Sequence, residues 1–353
     1  VSDSIKEIVP KYLLPLRGVI DSTDIPLNVS RSALQTDRKV RSISAFISKK
    51  IANKLKDLLK NEPEFYADIW NSISAFVKIG AIEDDKFAEL VQPNIIYETK
   101  INNKTNISKL LKNNSLIKKD ERIYTTLDHY QERNKAENQN QIIYCSDEIA
   151  QSNALNLWLS NDKEVIITDP LIDAQFLPWL ESKNNNYQFQ RVDSEIDESS
   201  DNKNKEIVDK DGKSPSDNLK NIFINSLNND KITVKIQAIN NDNAPPAMIL
   251  LPEQMRRIND MGAYMEQKLP GLPEYHVLLV NKDHPIVNGL KKLSDEKLIL
   301  DKEQKNESSL TKKLVNHIYD MAKLSVGGLS QKEIVNLQLN NAEVISGLLK
   351  SVK

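Results

Sequence analysis

The sequence predicts an α/β chain of several domains, and three observations carry that prediction. Two short apolar runs, QIIYCSD (141–147) and EVIITD (164–169), have the length and β-branched content of buried strands, and a helical pattern follows each. Three further runs in the last third, KITVKIQAI, AMILL and YHVLLV, read as strands set among helices. At both ends of the chain apolar residues recur at three- and four-residue steps, the period of an amphipathic helix. At 353 residues the chain can hold two or three separate cores.

Residues 1–90 read as a turn-bearing segment followed by helices. Val40, Ile43, Ile47, Ile51, Leu55 and Leu58 form the stripe of one long helix, with Lys and Arg outside. Pro63 opens a second, whose stripe is Phe65, Ile69, Trp70, Ile73 and Val77 and which Gly80 should stop. Trp70, at this spacing, reads as core. Residues 91–195 alternate strand and helix signals, which argues a small α/β/α sandwich on a mostly parallel sheet. Residues 196–216 are nearly free of apolar side chains and read as a polar linker. Residues 217–353 return to an α+β pattern that ends in two helices.

Composition removes several function classes. Net charge is −2 and 28% of residues are charged, so no basic face for nucleic acid is predicted. No apolar run approaches the roughly 20 residues that span a bilayer, so no membrane partner is expected. Cys145 is the single cysteine, which suits a reducing compartment and places an inert thiol on a buried strand. The nine glycines include neither G-x-G-x-x-G nor a Walker A loop. His129, His276, His284 and His317 are scattered, without metal-ligand spacing; His284 precedes Pro285 and reads as opening a turn.

The stretch YLLPLRGVIDSTDIPLNVSRSALQ, from Tyr12 to Gln35, is the most informative segment. An apolar approach leads into the turn Asp21-Ser22-Thr23-Asp24, and Asn28 or Ser30 then offers an oxygen to the free N–H groups of a helix start. Arg31 and Gln35 share one face of that helix end, where free N–H groups and a guanidinium would welcome a phosphate. A surface Arg31 paired with Asp24, with Gln35 merely solvated, is the plainer alternative. A calcium loop is excluded, because Pro26 and Ser32 stand where Gly and Glu are needed.

This segment closely resembles the catalytic loop of the heat-shock protein 90 chaperones, including the bacterial HtpG branch. Ser32 replaces the family's usual Glu, and Leu14-Pro15 an aromatic and a β-branched residue. YTTLDHYQER, TDPLIDAQF and PAMILLPEQMRRINDM are similar to further family segments, so the resemblance runs through nearly the whole chain. It implies a helical segment and small α/β/α sandwich of a middle domain, then an α+β C-terminal dimerisation domain. It also implies that Arg31 and Gln35 face the γ-phosphate of ATP, bound with Mg by a separate N-terminal domain. The chain opens without Met and resembles a fragment, so by itself it is expected to bind no cofactor and to be inactive as an ATPase.

Partners follow from three surfaces. Met255, Ile258, Met261 and Met265 line one side of a helix after Pro252; an exposed methionine stripe adapts to varied apolar partners, whereas a buried one is ordinary core. The resemblance implies that this helix contacts unfolded client proteins. Phe176 and Trp179 either form a second client patch or belong to the core. The last two helices carry Leu310, Leu314, Ile318 and Met321, then Ile334, Leu337, Val344, Ile345 and Leu348, with Ser330-x-x-Glu333 as a capping box. Two antiparallel helices cannot bury both faces alone, which predicts a homodimer through a four-helix bundle, docking onto the same chain being the alternative. The function implied is an ATP-driven cytoplasmic chaperone; a dimeric, ATP-independent scaffold or holdase is the second reading.

Overall fold

The computed structural model describes residues 9–13, 38–102, 107, 110–111, 116–138, 141–194, 214–239, 244–253, 256–257, 274–300, 307–326 and 328–351. Two compact units emerge, Val1–Tyr144 with Ile166–Phe189, and Cys145–Val165 with Gln190–Lys353. Both follow the expected α/β class. Arg31, Gln35, Met255, Ile258, Met261, Met265 and the polar stretch 195–213 lie outside the described residues.

In the first unit, helix α1 (Arg38–Asn61) buries Leu55 and Leu58 of the predicted stripe, half-buries Ile43, Ile47 and Ile51, and buries Ala52 beside them. Helix α2 (Pro63–Glu83) starts at the predicted proline and buries Tyr66, Trp70 and Val77. It does not stop at Gly80. An added Cβ there would come within 2.5 Å of Tyr12 Cδ2 and 2.9 Å of Phe87 Cε1. The glycine therefore serves close packing inside the helix, not termination. The true stop is Asp84, whose carboxylate accepts the N–H groups of Lys86 and Phe87 and so opens α3 (Asp85–Val91).

A six-stranded sheet follows, built from β1 (Ile96–Lys100), β2 (Ile117–Lys119), β3 (Arg122–Thr126), β4 (Gln141–Cys145), β5 (Val165–Ile167) and β6 (Gln188–Arg191). Its order is β2-β3-β1-β5-β4-β6. The β2–β3 and β1–β3 pairs at this edge are antiparallel. The cause is local: Lys119 pairs with Arg122 across a two-residue turn, and Asp120 adopts φ 53° to make it. So short a connection can join only antiparallel strands. Helices α4 (Leu127–Asn138) and α6 (Asp173–Lys183) flank the first unit's strands, while α5 (Ser152–Ser160) belongs to the second unit.

The second unit centres on a three-stranded sheet of β7 (Ile232–Gln237), β8 (Ala247–Leu250) and β9 (His276–Asn281), ordered β7-β9-β8. β9 runs parallel to β7 and antiparallel to β8, and all six of its residues are buried. Helix α7 (Pro215–Leu227) opens with a reciprocal cap between Ser214 and Asp217. Helices α8 (Pro285–Leu300), α9 (Glu307–Ser325) and α10 (Gln331–Ser351) complete the unit. One core joins Leu219 and Phe223 of α7, Leu278 and Val280 of β9, and Val315, Ile318 and Ala322 of α9.

Candidate functional site

The final helices form a hairpin whose geometry follows from four charged residues. Lys313 bonds Glu343 at 2.6 Å, and Lys323 bonds Glu333. Ten residues forward on α9 thus match ten residues back on α10, which sets the two helices antiparallel in one register. The turn is built as the sequence predicts. Gly328 donates its N–H to the Lys323 carbonyl at 2.9 Å, closing α9 in the manner of a Schellman end. Ser330 then caps α10: its N–H donates to Glu333 at 2.8 Å, while Glu333 N–H donates to the Ser330 hydroxyl oxygen at 3.4 Å. Lys323 and Ser330 together hold the Glu333 carboxyl down to about 2.

This hairpin docks on its own unit by one face of α9. Val315, Ile318 and Ala322 sink into the core against α7 and β8, and Leu314 packs partly beside them. Tyr319 adds a polar tie, its hydroxyl 2.9 Å from His276 Nε2 on β9 with the two ring planes nearly parallel. The predicted interface residues therefore separate into two sets. Ile318 and Leu337 are buried within the chain, and Ile334 is half-buried. Met321 and Ile345 remain exposed, joined by Leu324, Val335 and Leu339, the last 61% exposed. Val335 and Leu339 sit one turn apart on α10 and are not in the predicted stripe. The side chains of Leu310, Val344 and Leu348 lie outside the described ones.

The predicted client patch near the TDPLIDAQF segment resolves toward the core. Phe176 is fully buried and stacks on Trp179 with ring centroids 5.4 Å apart, so it cannot be a surface contact. Trp179 is half-buried. Beneath them lies a polar cluster absent from the sequence reading. Lys78 of α2 meets Asp173 of α6 at 2.7 Å, and its ammonium lies 4.5 Å from the Tyr97 ring centroid. Asp173 also accepts the Asp169 N–H at 2.8 Å. Burial, then the Asp173 charge, lifts the Tyr97 hydroxyl well above its ordinary range.

Just after Pro252, the guanidinium of Arg256 is buried and held by Glu253, with Arg257 bonded to the same carboxylate at 2.8 Å. Burial works against the Glu253 charge, but the two guanidiniums, Arg256 first, keep its carboxyl below the ordinary range. Cys145 is fully buried, and burial pushes its thiol up to about 12, so it is inert as predicted. Among the described residues no group of three or more His, Cys, Asp or Glu side chains could hold a metal, and no helix is long and apolar enough to cross a membrane.

A family model described as Hsp90 protein matches residues 1–349. The chain belongs to the Hsp90 family. The Chaperone protein HtpG of Porphyromonas gingivalis (strain ATCC 33277) is 31% identical over 306 residues, covering 84% of this chain and 42% of that protein. The HtpG of Bacteroides thetaiotaomicron is 29% identical over 81% of this chain, and that of Legionella pneumophila (strain Paris) 27% over 84%. This Hsp90 chain spans less than half the length of these curated relatives, 42%, 40% and 45% respectively.

Proposed function

We propose that this Hsp90 chain is the client-binding and dimerising part of an ATP-dependent cytoplasmic chaperone. The observation that carries the reading is the α9–α10 hairpin, docked by one face while Met321, Leu324, Val335, Leu339 and Ile345 stay in water. Exposed apolar side chains on a rigid, capped helix pair suit a self-complementary partner, since a second copy presents the same surface. Unfolded clients are assigned to the stripe of Met255, Ile258, Met261 and Met265. ATP with Mg is assigned to another domain of the complete protein, with Arg31 reaching the γ-phosphate and Gln35 beside it.

The test is aggregation of a heat-unfolded client in the presence of this chain. The chain should suppress it, and Met255→Ser with Met261→Ser should weaken suppression while the thermal midpoint holds. Wild-type protein that leaves aggregation unchanged refutes the client assignment. In the complete protein Arg31→Ala should lower ATP turnover on the order of 10³-fold with nucleotide affinity little changed; normal turnover would leave only the scaffold reading.

A further inference from the structure

Helix α2 buries Tyr66, Trp70 and Val77 and still leaves a second apolar stripe in water. Phe65 and Phe76 are 49% and 40% exposed, and Ile79 is 36% exposed. Spaced by eleven and then three residues, they return to one side of a helix of about 3.6 residues per turn. Half-buried Ile69 lies between this stripe and the core face. From Phe65 to Ile79 the stripe runs about 21 Å. A row of exposed apolar side chains, two of them aromatic, is a mark of a contact surface rather than of a solvated face.

The charges beside the stripe are of one sign. α2 carries Glu64, Asp68 and Glu83, and its single base, Lys78, is buried against Asp173. Glu62, at the N-cap, and the three acids of the helix are all exposed. Lys119 approaches Asp68 at 3.9 Å, a surface pair of little strength. Glu62, Glu64 and Glu83 make no ion pair among the described residues. Glu83 stands in the last turn, where the helix's free carbonyl groups disfavour a negative charge. Its position therefore works against the helix that carries it.

We infer that this face of α2 docks a cationic, apolar polypeptide segment. Leucine or aromatic side chains of the segment lie on Phe65, Phe76 and Ile79, and its lysines or arginines meet the flanking carboxylates. The surface is fixed before the partner arrives. The Tyr66 hydroxyl donates to the Asn94 carbonyl at 2.8 Å, and the Lys78–Asp173 pair ties the helix from another side. Such preorganisation lowers the entropy cost of docking. That the segment belongs to an unfolded client rests on the function proposed above; the surface and its chemistry do not.

Other occupants fit less well. A second copy of this face would set the same carboxylates against one another, and like charges across a contact cost affinity. Nucleic acid and anionic headgroups are repelled by those carboxylates as well.

The experiment is fluorescence anisotropy of a labelled peptide alternating leucine with lysine and arginine, titrated with this chain at low and high salt. Saturable binding that fades with salt is the expected result, and a leucine/glutamate peptide should not bind. Glu64→Lys with Glu83→Lys should weaken binding about tenfold or more, the scale of reversing two ion pairs. The same variant should gain binding of the leucine/glutamate peptide, and circular dichroism should show it folded, since both side chains are exposed. Phe76→Ser with Ile79→Ser should weaken the cationic peptide by a similar factor at unchanged charge. Glu121→Lys with Glu132→Lys, in the β2–β3 turn and on α4, should leave it unchanged. Met255→Ser with Met261→Ser should leave it unchanged too, so a chain that binds the peptide but fails to suppress aggregation keeps this surface and loses the client. The inference is overturned by no saturable binding, by equal binding of the leucine/glutamate peptide to the unaltered chain, or by equal loss in the control or methionine variants. A dimer that the two serine changes dissociate would overturn it as well, making the face a contact between copies.

Discussion

Lys78 and Asp173 stand 95 residues apart in the chain and meet at 2.7 Å in the interior of the first unit. Neither side chain exposes more than 4% of its surface. The pair joins the last third of α2 to the first turn of α6, and the carboxylate sits where the helix's free N–H groups favour negative charge. Aromatic rings of Tyr97 and Phe176 flank the ammonium at 4.5 and 5.9 Å. Two buried charges gain stability only when both are present, because either alone keeps its desolvation cost.

Removing one partner should therefore be severe. Lys78→Met should destabilise the chain by about 3–5 kcal/mol, and Asp173→Asn by a comparable amount. The double change Lys78→Met, Asp173→Leu should cost well under the sum of the singles. Chemical denaturation of the four proteins gives the coupling directly; additive losses would mean that the two side chains do not act as a pair.

Gly80 makes a second quantitative case. Alanine in mid-helix ordinarily stabilises by up to about 1 kcal/mol over glycine. Here its Cβ would press on the Tyr12 ring at 2.5 and 2.8 Å and on Phe87 at 2.9 Å. Those rings already pack on each other with centroids 4.9 Å apart. Gly80→Ala should therefore destabilise by about 1–3 kcal/mol, the usual cost of overpacking. Gly80→Ala with Tyr12→Leu should recover part of the loss, which thermal melts can read.

These two sites show where sequence stops being informative. The stripes of α1 and α2 were largely legible because burial follows the helical period, and Trp70 fell in place for that reason; Phe65 did not, being 49% exposed while its neighbour Tyr66 is buried. Gly80 was misread as a terminator because glycine has two uses, and only the arriving Tyr12 ring distinguishes them. Nothing in the sequence singles out Lys78, since its partner lies on another element. In α10 apolar residues occur on both sides: Leu337 turns inward while Val335 and Leu339 turn outward. Periodicity locates such a residue on a face but not which face the chain itself covers. The loop with Arg31 and Gln35 was readable by resemblance alone, and its geometry lies outside the described residues.

The hairpin should respond to acid in a defined direction. The hydrogen bond from Lys323, then those from Ser330, hold Glu333 down to about 2 from an ordinary 4.5. A carboxyl lowered in the folded state stabilises fully above its unfolded value and loses that contribution as pH falls through its folded one. Wild-type helicity and thermal midpoint should thus fall between about pH 4.5 and pH 2, and Glu333→Gln should show a shallower fall over that range. Identical acid profiles for the two proteins would remove Glu333 from the account of the turn.

The last prediction separates the two faces of the hairpin. Leu337 is buried within the chain and Ile318 belongs to the core, so changing either tests stability before assembly. Val335 and Leu339 contact nothing that buries them here, being 54% and 61% exposed. If a second copy covers them, Val335→Asp with Leu339→Asp places two carboxylates in an apolar, desolvated interface, where unpaired charge is not tolerated. Light scattering should then show a monomer where the unaltered chain is a dimer, with the unimolecular melting of the hairpin little affected. Leu337→Ala should do the reverse, lowering the melting midpoint by an amount set by about 2–5 kcal/mol of lost packing, with dimerisation recovered at low temperature. A dimer that survives both aspartates would place the interface on another surface, with Met321 and Leu324 of α9 the next to change.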